Sequence, residues 1–497
     1  MKASMKRLSA RAALLCFGSL LWTVPASAWD PATTQAGIAE QAAIASRAHQ
    51  ILAVGLGRPL GLFEPIAVSP NERLTPRMKL LWQRLGLLSS AEGYRPTAES
   101  GANPAVAWIA AGAAIEGVPA ERGRHHFFDP KSGRGLQDNP GVTGGVHSLK
   151  LAVDGRGGLR GLATGTTFDL TGRPAIGWML SDENELGLPN FLSAMENSVG
   201  LETETARQAS LAEALMCLGG LGAVLADMGE PAHVRNDFRG TFLGGGTAGS
   251  WDQGSDFERF VANKYGRAGI PGVASATERT SLEAYFSSPD GNGLADRTQQ
   301  QFFSYGTLPT DVLIDAASTP KEVRATANEA LTYPSPSVGK LSLRSGGRKY
   351  QKANGARQFA YERTGDKIRF FLDEAVYADT AETWLPVIGS YVAGLYNSLL
   401  RAELAISVSE VQGVQKVSIA LKGLKTGASG TLKLYAQGED GHRTLVGSPM
   451  QFSALASGEP AASFSFELPA GASRVAASVR GQDAAGAFVA VAERSAR

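Results

Sequence analysis

Cysteine is nearly absent from this chain, which has two in 497 residues. Cys16 lies in an apolar run near the N-terminus, and Cys217 lies near the middle of the sequence. If the first 28 residues are removed on export, as argued below, Cys217 is the one cysteine that remains. An intramolecular disulfide is then excluded, even in an oxidising compartment.

An excess of either charge is also lacking, because 48 Lys and Arg balance 47 Asp and Glu. Residues 1–28 hold four basic and no acidic residues, and without them the balance is 44 to 47, or about −3. This balance gives no electrostatic reason to expect a polyanion-binding surface. The sequence has no GK[ST] motif in a strand–loop–helix context, which excludes a phosphate-binding loop of that type.

Outside the N-terminal segment, no apolar run predicts a membrane span. Residues 1–28 have the pattern of a secretory signal, with a basic leader, an apolar run over residues 12–24 and the small-residue site ASA at residues 26–28. Cleavage after this site would make Trp29 the mature N-terminus. We therefore expect a soluble protein that is secreted or periplasmic.

The spacing of apolar residues predicts a helical region followed by strands. A buried central helix is predicted within the stretch of residues 206–237, where leucines recur every three or four positions up to the stop at Gly229 and Pro231. From about residue 405, seven segments alternate apolar and polar residues between Gly, Ser and Pro clusters, which predicts a small β-sandwich. Further helices are predicted over residues 33–53, 74–88, 104–116, 255–265, 281–305, 309–331 and 359–404.

These patterns predict a mainly α protein with three parts. The signal peptide covers residues 1–28, a helical domain covers residues 29–404, and an all-β sandwich domain covers residues 405–497. The change of pattern at about residue 405 sets the boundary between the two domains, because the period of the apolar residues falls there from helical spacing to simple alternation.

Polar residues at the end of the predicted central helix are the first candidates for a site. Asp227 lies in the last helical turn among apolar residues, Gly229 and a proline end the helix, and His233 follows. A carboxylate in this position needs a cationic partner, either Arg or a metal ion, because an unpaired buried charge is costly. Taken alone, His126 in the turn RHHFFDP can simply pack, and Glu258 suits a helix N-terminus without a metal.

Five segments, taken together, resemble a known superfamily. In chain order they are Trp29 after the signal peptide, HFFDP at residues 126–130, DMGEPAHVRND at 227–237, FERFV at 257–261 and LPVIGSYVAGL at 385–395. They resemble the zinc-dependent bacterial phospholipases C and the fungal single-strand-specific nucleases. The resemblance spans residues 29–404 and leaves the predicted sandwich unexplained. It implies an all-α bundle with three zinc ions in a cleft that hydrolyses phosphoric ester bonds.

The resemblance also implies a set of metal ligands. Five family ligand positions match, and they are Trp29, His126, Asp227, His233 and Glu258. The resemblance implies that Asp227 is shared by two ions and that Trp29 binds through its free amine and carbonyl. Four positions lack the family's imidazole or carboxylate, and they fall on Gln35, Gly117, Ala223 and Gly254. A catalytic zinc normally has about three protein ligands. We therefore expect fewer than three zinc ions, with no metal as the alternative.

Neighbouring side chains are candidates to replace the missing ligands. Glu116 can stand in for Gly117 beside His126 and Asp227, and it can also position or deprotonate the attacking water. Asp227 and Glu116 are therefore the candidate catalytic residues. The other candidate replacements are His125, His147, Asp237, Asp252 and Asp256.

Two functions of different classes follow from the resemblance. The first is a secreted hydrolase of phosphoric ester bonds in phospholipid or single-stranded nucleic acid, working with a reduced metal site. The second is a non-catalytic descendant of that family that acts as a binding or scaffold protein. The sandwich can hold a surface ligand such as a polysaccharide, stabilise the helical domain or serve export. Five aromatic residues can serve either substrate or simply pack, and they are Phe127, Phe128, Phe238, Phe242 and Trp251.

Overall fold

A computed structural model describes residues 29–68, 74–86, 102–118, 120–137, 171–237, 255–308, 312–313, 347–353, 355–412, 414–453 and 462–496. The predicted signal peptide lies outside the described residues, as does almost all of the helix predicted over residues 309–331. Several candidate site residues also lie outside them, namely His147, Phe238, Phe242, Trp251, Asp252 and Gly254. The predictions made for these residues stay predictions.

Helices dominate the described chain before residue 400. Those of four or more α-helical residues are α1 Ala36–Ala45, α2 Pro76–Leu85, α3 Ala105–Glu116, α4 Ala175–Met179, α5 Leu188–Gly200, α6 Glu204–Ala226, α7 Pro231–Val234, α8 Asp256–Tyr265, α9 Leu282–Phe286, α10 Leu294–Gln301 and α11 Glu374–Leu399. Two π-helical turns lie at Pro31–Gln35 and Ile51–Gly55, and short α-helical or 3-10 turns lie at Ala48–Gln50, Gly61–Phe63, Ala120–His125, Asp227–Gly229 and Tyr305–Thr307.

Helix α6 is the central element of the helical part, and every residue from Ala209 to its end is buried. The backbones of α6 and α3 are in direct contact. A Cβ atom at Gly112 of α3 would lie 1.9 Å from the carbonyl oxygen of Met216, and one at Gly219 of α6 would lie 1.9 Å from that of Ile109. The two glycines therefore allow the close contact, and the apolar sequence of α6 follows from its burial on all sides.

The stretch Glu204–Gly229 is, by length and composition, apolar enough to cross a membrane. We expected no apolar run of this length beyond the N-terminal segment, and by length and composition alone that expectation is wrong. Its most apolar window of 18 residues lies entirely inside the protein, which is the position of a core helix.

A four-stranded antiparallel sheet replaces part of the last predicted helical region. Its order is β3–β6–β5–β4, with β3 Val312–Leu313, β4 Lys349–Ala353, β5 Ala356–Thr364 and β6 Lys367–Phe371. The helix predicted over residues 359–404 is thus wrong before α11 begins at Glu374. Residues 358–361 of β5 are all buried, and periodicity cannot distinguish such a short apolar run from a helix. Gly365, at φ 64°, makes the turn between β5 and β6.

The C-terminal strands form the predicted sandwich and confirm the fold class. One sheet has the order β12–β8–β7, and the other has β10–β9–β13–β14 with β11 also paired to β9. Their inner faces share a buried core that includes Val417, Leu434 and Val479. The strands are β7 Glu403–Val411, β8 Val414–Lys422, β9 Ser429–Gln437, β10 Arg443–Leu445, β11 Met450–Phe452, β12 Ala462–Glu467, β13 Arg474–Asp483 and β14 Gly486–Ser495. A further short pair in the helical part joins β1 Pro65–Ala67 to β2 Ala102–Pro104.

The sandwich packs closely against the helical part. Val489 and Val491 of β14 belong to the same buried cluster as α5 and α6. Arg443 is buried at this interface, where its Nη1 donates to the carbonyl oxygen of Val199 at 2.8 Å and to Glu493 at 2.8 Å. The helical part and the sandwich therefore share a hydrophobic interface, and the hydrogen bonds of Arg443 add buried polar contacts to it.

Candidate metal centre

The end of α6 positions the polar residues of the candidate site. Asp227 is fully buried in the turn that follows the helix, and Gly229 then passes α11 so closely that a Cβ atom would lie 2.3 Å from Ile388. Glu230 caps the short helix α7, because its carboxylate accepts hydrogen bonds from the backbone N–H groups of Ala232 and His233. This sequence of helix, turn and capped helix brings Asp227 and His233 to one region.

Asp227 is held by two side chains from distant parts of the chain. Gln35 Nε2 donates to Asp227 Oδ1 at 2.7 Å, and His126 Nδ1 bonds to Asp227 Oδ2 at 2.6 Å. Trp29 is fully buried beside them, and its indole N–H donates to the carbonyl oxygen of Ala226 at 3.2 Å. The structure thus brings together Trp29, His126 and Asp227, and it places Gln35, one of the positions that departs from the family, directly on the Asp227 carboxylate.

Glu116, the last residue of α3, is fully buried on the other side of His126. Its carboxylate accepts from Arg122 Nη2 at 3.0 Å, from the Trp178 indole at 2.8 Å and from Asn184 at 3.2 Å. His126 Nε2 lies 3.6 Å from Glu116 Oε1. The carboxylate of Glu116 is therefore engaged by an arginine and two neutral donors, and His126 lies between two buried acids.

The protonation states in this group follow from its packing. Burial alone would lower the pKa of His126, but its interactions with Asp227 and Glu116 outweigh burial and raise the pKa to about 9. Burial alone would raise the pKa of Glu116, yet the charge of Arg122 and the contact with His126 lower the pKa to about 2. At neutral pH His126 is therefore a cation between two carboxylates.

A second buried group consists of Glu230, His233 and Glu258, which we call the Glu–His–Glu trio. One possible ligand atom from each residue lies within 4.8 Å of the other two, and His233 Nε2 is 3.6 Å from Glu258 Oε1. His233 Nδ1 lies 2.7 Å from the carbonyl oxygen of His126. A carbonyl oxygen can only accept, so the ring carries its proton on Nδ1 and directs the other nitrogen toward Glu258.

The helix N-terminus of α8 orients the two acids of the trio. Ser255 caps α8 in a capping box, in which its hydroxyl receives the Glu258 N–H and the Glu258 carboxylate receives the Ser255 N–H. The same Ser255 hydroxyl donates to Glu230 Oε1 at 2.7 Å. Burial raises the pKa of Glu230 to about 7, against the opposing effect of His233. The helix-capping role considered for Glu258 is therefore present, and it occurs together with the contact to His233.

Distances decide which group suits a metal ion. Two ligands bound to one tetrahedral ion at about 2.1 Å lie about 3.4 Å apart, and His233 Nε2 and Glu258 Oε1 are 3.6 Å apart. The two contacts to Asp227, at 2.6 and 2.7 Å, are direct hydrogen bonds that leave no room for an ion between the paired atoms. The pair His126–Glu116 also has a 3.6 Å separation, but Glu116 already accepts from three other side chains. The trio fits a divalent ion, and the surroundings of Asp227 do not.

The remaining candidates lie apart from the trio or at its edge. His125 stacks on Trp178 with ring centroids 4.3 Å apart, and its Nδ1 accepts from the Arg173 N–H at 3.0 Å. Burial and the charge of Arg124 lower the pKa of His125 to about 3. Gly117 ends α3, and Ala223 contributes a buried methyl group to α6.

Two further candidates have other contacts. Asp237 accepts a hydrogen bond from the backbone N–H of Gly306 at 2.6 Å. Asp256 pairs with Arg259 one turn along α8. Both are near the trio in the sequence, and neither belongs to the group of ligand atoms found in the described residues.

Sequence reasoning missed two residues of the site. Glu230 directly precedes Pro231, and a proline at the first position of a helix is the one signal in the sequence that marks Glu230 as the N-cap residue. Arg122 follows α3 in the 3-10 turn Ala120–His125, and nothing in its spacing indicates that its side chain returns to Glu116. Of the predicted set within the described residues, His126 contacts Asp227, the Trp29 indole bonds to the neighbouring carbonyl oxygen of Ala226, and His233 lies beside Glu258.

Comparisons with solved structures find distant likenesses, among them two clostridial toxins. The chain is similar to the alpha toxin from Clostridium absonum, at 10% identity over 93% of this chain and 94% of that chain, with a TM-score of 0.29. It is also similar to the Clostridium perfringens alpha-toxin from the avian strain SWCP, at 9% identity over 95% of this chain and 100% of that chain, with a TM-score of 0.24. No protein-family model matches the chain, and no curated protein matches it.

Proposed function

We propose that this chain is a secreted, phospholipase C-like hydrolase of phosphoric esters that binds one divalent ion at Glu230, His233 and Glu258. The observation that carries the proposal is the buried Glu–His–Glu trio, whose ligand atoms lie within 4.8 Å of one another. Two carboxylates and an imidazole in fully buried surroundings are a ligand set that a divalent cation suits. The resemblance of residues 29–404 to zinc phosphoesterases supplies the reaction class.

The chain's own residues have distinct tasks in this proposal. Glu230 and Glu258 provide negative charge, and His233 provides the Nε2 lone pair. A divalent ion bound there would polarise a phosphoryl oxygen and lower the pKa of water. The carbonyl oxygen of His126 fixes the tautomer of His233, and such an outer hydrogen bond typically changes metal affinity or activity by about 10–100-fold.

Asp227 and Glu116 act as positioning residues in this scheme. Each holds one side of the His126 ring, and the backbone of His126 in turn holds His233. The proposed ion is zinc, although a set with two carboxylates and one imidazole also suits manganese or iron. The substrate class is phospholipid, with single-stranded nucleic acid as the other family substrate; the near-neutral charge of the chain favours the lipid.

A non-catalytic binding or scaffold protein is the second candidate, and one observation favours it. Gln35 and His126 occupy both oxygens of Asp227, the residue that the resemblance makes the ligand shared by two ions. The chain therefore closes with its own donors a centre that the family fills with metal. If the trio also fails to bind metal, the helical part is a scaffold.

Metal content of the exported protein tests the proposal. N-terminal sequencing should give Trp29, and elemental analysis should give about one divalent ion per chain. Hydrolysis of p-nitrophenylphosphocholine should require that ion and stop after treatment with a chelator. Glu258→Gln and His233→Asn should lose both the ion and the activity, whereas Glu283→Gln, an exposed acid on α9, should keep both.

The opposite result is equally clear. Correctly processed protein with neither metal nor hydrolysis, at unchanged thermal stability, favours the scaffold function. Metal retained by the His233→Asn variant but lost on substitution of Asp227 would place the ion at the other centre. An unprocessed N-terminus in the culture medium or periplasm would contradict the predicted signal peptide.

A further inference from the structure

An open groove lies at the edge of the contact between the sandwich and helix α5, and we call it the sandwich groove. Leu192 of α5 borders it on one side, and residues of β9, β11 and β13 line most of the rest. Its volume is about 590 Å³, within the range of roughly 300–1,000 Å³ that is usual for ligand pockets. The sandwich groove therefore has the size of a ligand site.

The helices cover only part of the sheet that forms the floor of this groove. Val489 and Val491 of β14 pack into the buried core of the helical part. Arg480 of β13 lies directly opposite Val489, Thr431 of β9 lies opposite Arg480, and Gln451 of β11 lies opposite Thr431. Residues directly opposite in an antiparallel pair share a face. One face of the sheet therefore changes from a covered apolar part to an open polar part.

A second row of polar side chains extends this open part. Ser429 and Gln482 lie opposite each other, two positions along their strands from Thr431 and Arg480. Since side chains alternate between the faces of a strand, these two residues lie on the same face as the first row. Ser429, Gln451, Arg480 and Gln482 all line the sandwich groove. Its floor thus presents a hydroxyl, two amides and a guanidinium side by side.

Arg480 is the one charged side chain among the described residues of this wall. The acids near it bond elsewhere, because Asp483 receives the guanidinium of Arg401 and Glu196 of α5 pairs with Lys433. A cleft with charge of one sign raises the local concentration of the opposite charge. A guanidinium binds a carboxylate through two parallel N–H groups. The sandwich groove therefore favours an anion, and Arg480 is the residue that would hold it.

The neutral side chains of the groove indicate what else the anion carries. The Thr431 hydroxyl donates to Gln451 Oε1 at 2.9 Å, which fixes the amide and leaves its two N–H donors on the other side. Gln482 and Ser429 can each donate and accept. The half-buried ring of Phe452 and the side chain of Leu192 add apolar surface. Hydroxyl groups on a ring with apolar C–H faces match this combination of polar and apolar groups.

We propose that the sandwich groove binds an acidic oligosaccharide built from uronic acid units. The guanidinium of Arg480 donates to both oxygens of one uronate carboxylate, and the side chains of Gln451, Gln482 and Ser429 bond to ring hydroxyls. One cation among several neutral hydrogen-bonding side chains matches a ligand unit that has one acid group and several hydroxyls. A simple inorganic anion would use Arg480 and leave the other three side chains without a role.

The site is independent of the function proposed above. No residue of the trio is among the described residues that line the sandwich groove, and the proposed contacts need no metal ion. Binding is therefore measured on chelator-treated protein, so that no ion can bridge the uronate to the trio. Failure of the phosphoesterase proposal would leave this measurement unchanged, and failure of this proposal would leave the metal content unchanged.

Titration calorimetry with trigalacturonate tests the site on the full exported chain. We expect a Kd on the order of 1 mM or tighter, as suits a ligand of this size. The methyl ester of the same trisaccharide keeps the hydroxyls and loses the charge, and it should bind about tenfold more weakly. Inorganic sulfate keeps a charge and lacks the hydroxyls, and it should also bind about tenfold more weakly than trigalacturonate.

Substitutions in the groove test the residues. Arg480→Met should weaken binding of trigalacturonate about tenfold, and Gln451→Met should weaken it about fivefold, because the first bond involves charge and the second does not. Arg480→Lys keeps the charge without the two parallel N–H groups, so its Kd should lie between those of Arg480→Met and the unaltered chain. Arg494→Met, at an exposed position of β14, is the matched control and should leave the Kd unchanged.

Several outcomes would overturn the proposal. Equal binding of the methyl ester would remove the role of the carboxylate, and equal binding of sulfate would make the groove a simple anion site. An unchanged Kd in Arg480→Met would place the ligand elsewhere on the chain. An absence of any binding would mean that the groove holds water alone. If Arg480→Met is poorly folded, the comparison of the three ligands on the unaltered chain still decides.

Discussion

Asp227 receives two hydrogen bonds from side chains, and this detail separates it from the trio. The Gln35 amide is a donor at the position where the resemblance implies an imidazole ligand, and it supplies a hydrogen bond to the Asp227 carboxylate. His126 supplies the positive charge on the other oxygen, because its pKa is raised to about 9. At the scale of single residues, side-chain donors occupy both oxygens of Asp227, whereas the trio presents carboxylate oxygens and an imidazole nitrogen as possible metal ligands.

Substitution of Gln35 by Met tests this difference directly. The variant removes one donor from the buried carboxylate of Asp227, and we expect the free energy of unfolding to fall by about 1–3 kcal/mol. Metal content should not change, because the trio is intact. Urea denaturation and elemental analysis measure the two quantities, with Gln83→Met at an exposed position of α2 as the matched control. A loss of bound metal would show that Asp227 takes part in the metal site.

Arg122 gives a second prediction at this scale. Its guanidinium is nearly buried and bonds to the fully buried carboxylate of Glu116 through Nη2, at 3.0 Å from each oxygen. Arg122→Met would leave that carboxylate without its main compensating charge, and we expect the variant to be less stable by about 3–5 kcal/mol. Chemical denaturation of both proteins measures the change. A loss below about 1 kcal/mol would mean that His126 alone compensates Glu116.

The sequence predicted the residues of the site better than their partners. His126 contacts Asp227 and the Trp29 indole bonds to the neighbouring Ala226 carbonyl oxygen, whereas the metal ligation that the resemblance implies for these three residues stays a prediction. The contact of Gln35 with Asp227 joins positions 192 residues apart, and its neutral amide carries no signal of its own. Glu230 was not proposed as a ligand, since its role depends on how the N-cap of α7 turns its carboxylate toward His233.

Among the elements, the contact of α3 with α6 depends most on the absence of side chains. Gly112 and Gly219 place backbone against backbone, and α3 carries Glu116 at its end just as α6 leads to Asp227. The distance between the two helices therefore sets the position of Glu116 relative to His126 and Asp227. Helix existence was predictable from apolar spacing, but the sheet of β4, β5 and β6 was not, because its buried run of residues 358–361 has no strand-like alternation.

Gly112→Ala tests the contact between these helices. The added Cβ would lie 1.9 Å from the backbone oxygen of Met216. Relieving this clash requires the two packed helices to move apart, which costs packing energy. We expect a loss of about 1–3 kcal/mol or more, as for other overpacked cores. Gly177→Ala on α4 is the control, since its Cβ would meet one atom at 3.9 Å. Thermal unfolding should separate the two variants, and equal melting temperatures would contradict the helix contact.

At the scale of the whole molecule, the sandwich is joined to the helical part by charged groups as well as apolar ones. The change of pattern at residue 405 correctly predicted that strands follow helices. It could not predict that β14 packs into the helical core, because the outward face of an alternating strand looks the same whether water or another element covers it. The predicted domain boundary itself stays a prediction.

Arg401 and Asp483 form the ion pair that links the end of the last helix to β13. Arg401 donates to the two oxygens of Asp483 at 2.7 and 3.1 Å, and both side chains are buried. Burial alone would raise the pKa of Asp483, but the hydrogen bonds from Arg401 and from two backbone N–H groups hold the pKa below its usual value. The carboxylate is therefore more stable as an anion in the folded protein than in the unfolded chain.

The sign of this shift gives a pH-dependent prediction. A lowered pKa stabilises the folded state at pH values above the unfolded value of about 3.9, and this contribution is lost as the pH falls through the lower folded value. Asp483→Asn should cost about 3 kcal/mol at pH 6, because it leaves Arg401 buried without its anion. The difference between the two proteins should shrink as the pH falls below about 4.

Urea unfolding of the two proteins at about pH 6, 4 and 3 follows the Asp483 carboxyl group through its titration. Asp366→Asn, at an exposed position in the turn between β5 and β6, is the control and should track the unaltered chain at every pH. A constant difference between Asp483→Asn and the unaltered chain across this range would contradict the titration of Asp483. Such a constant difference would mean that packing at the interface, and not the charge of Asp483, keeps the sandwich in place against the helices.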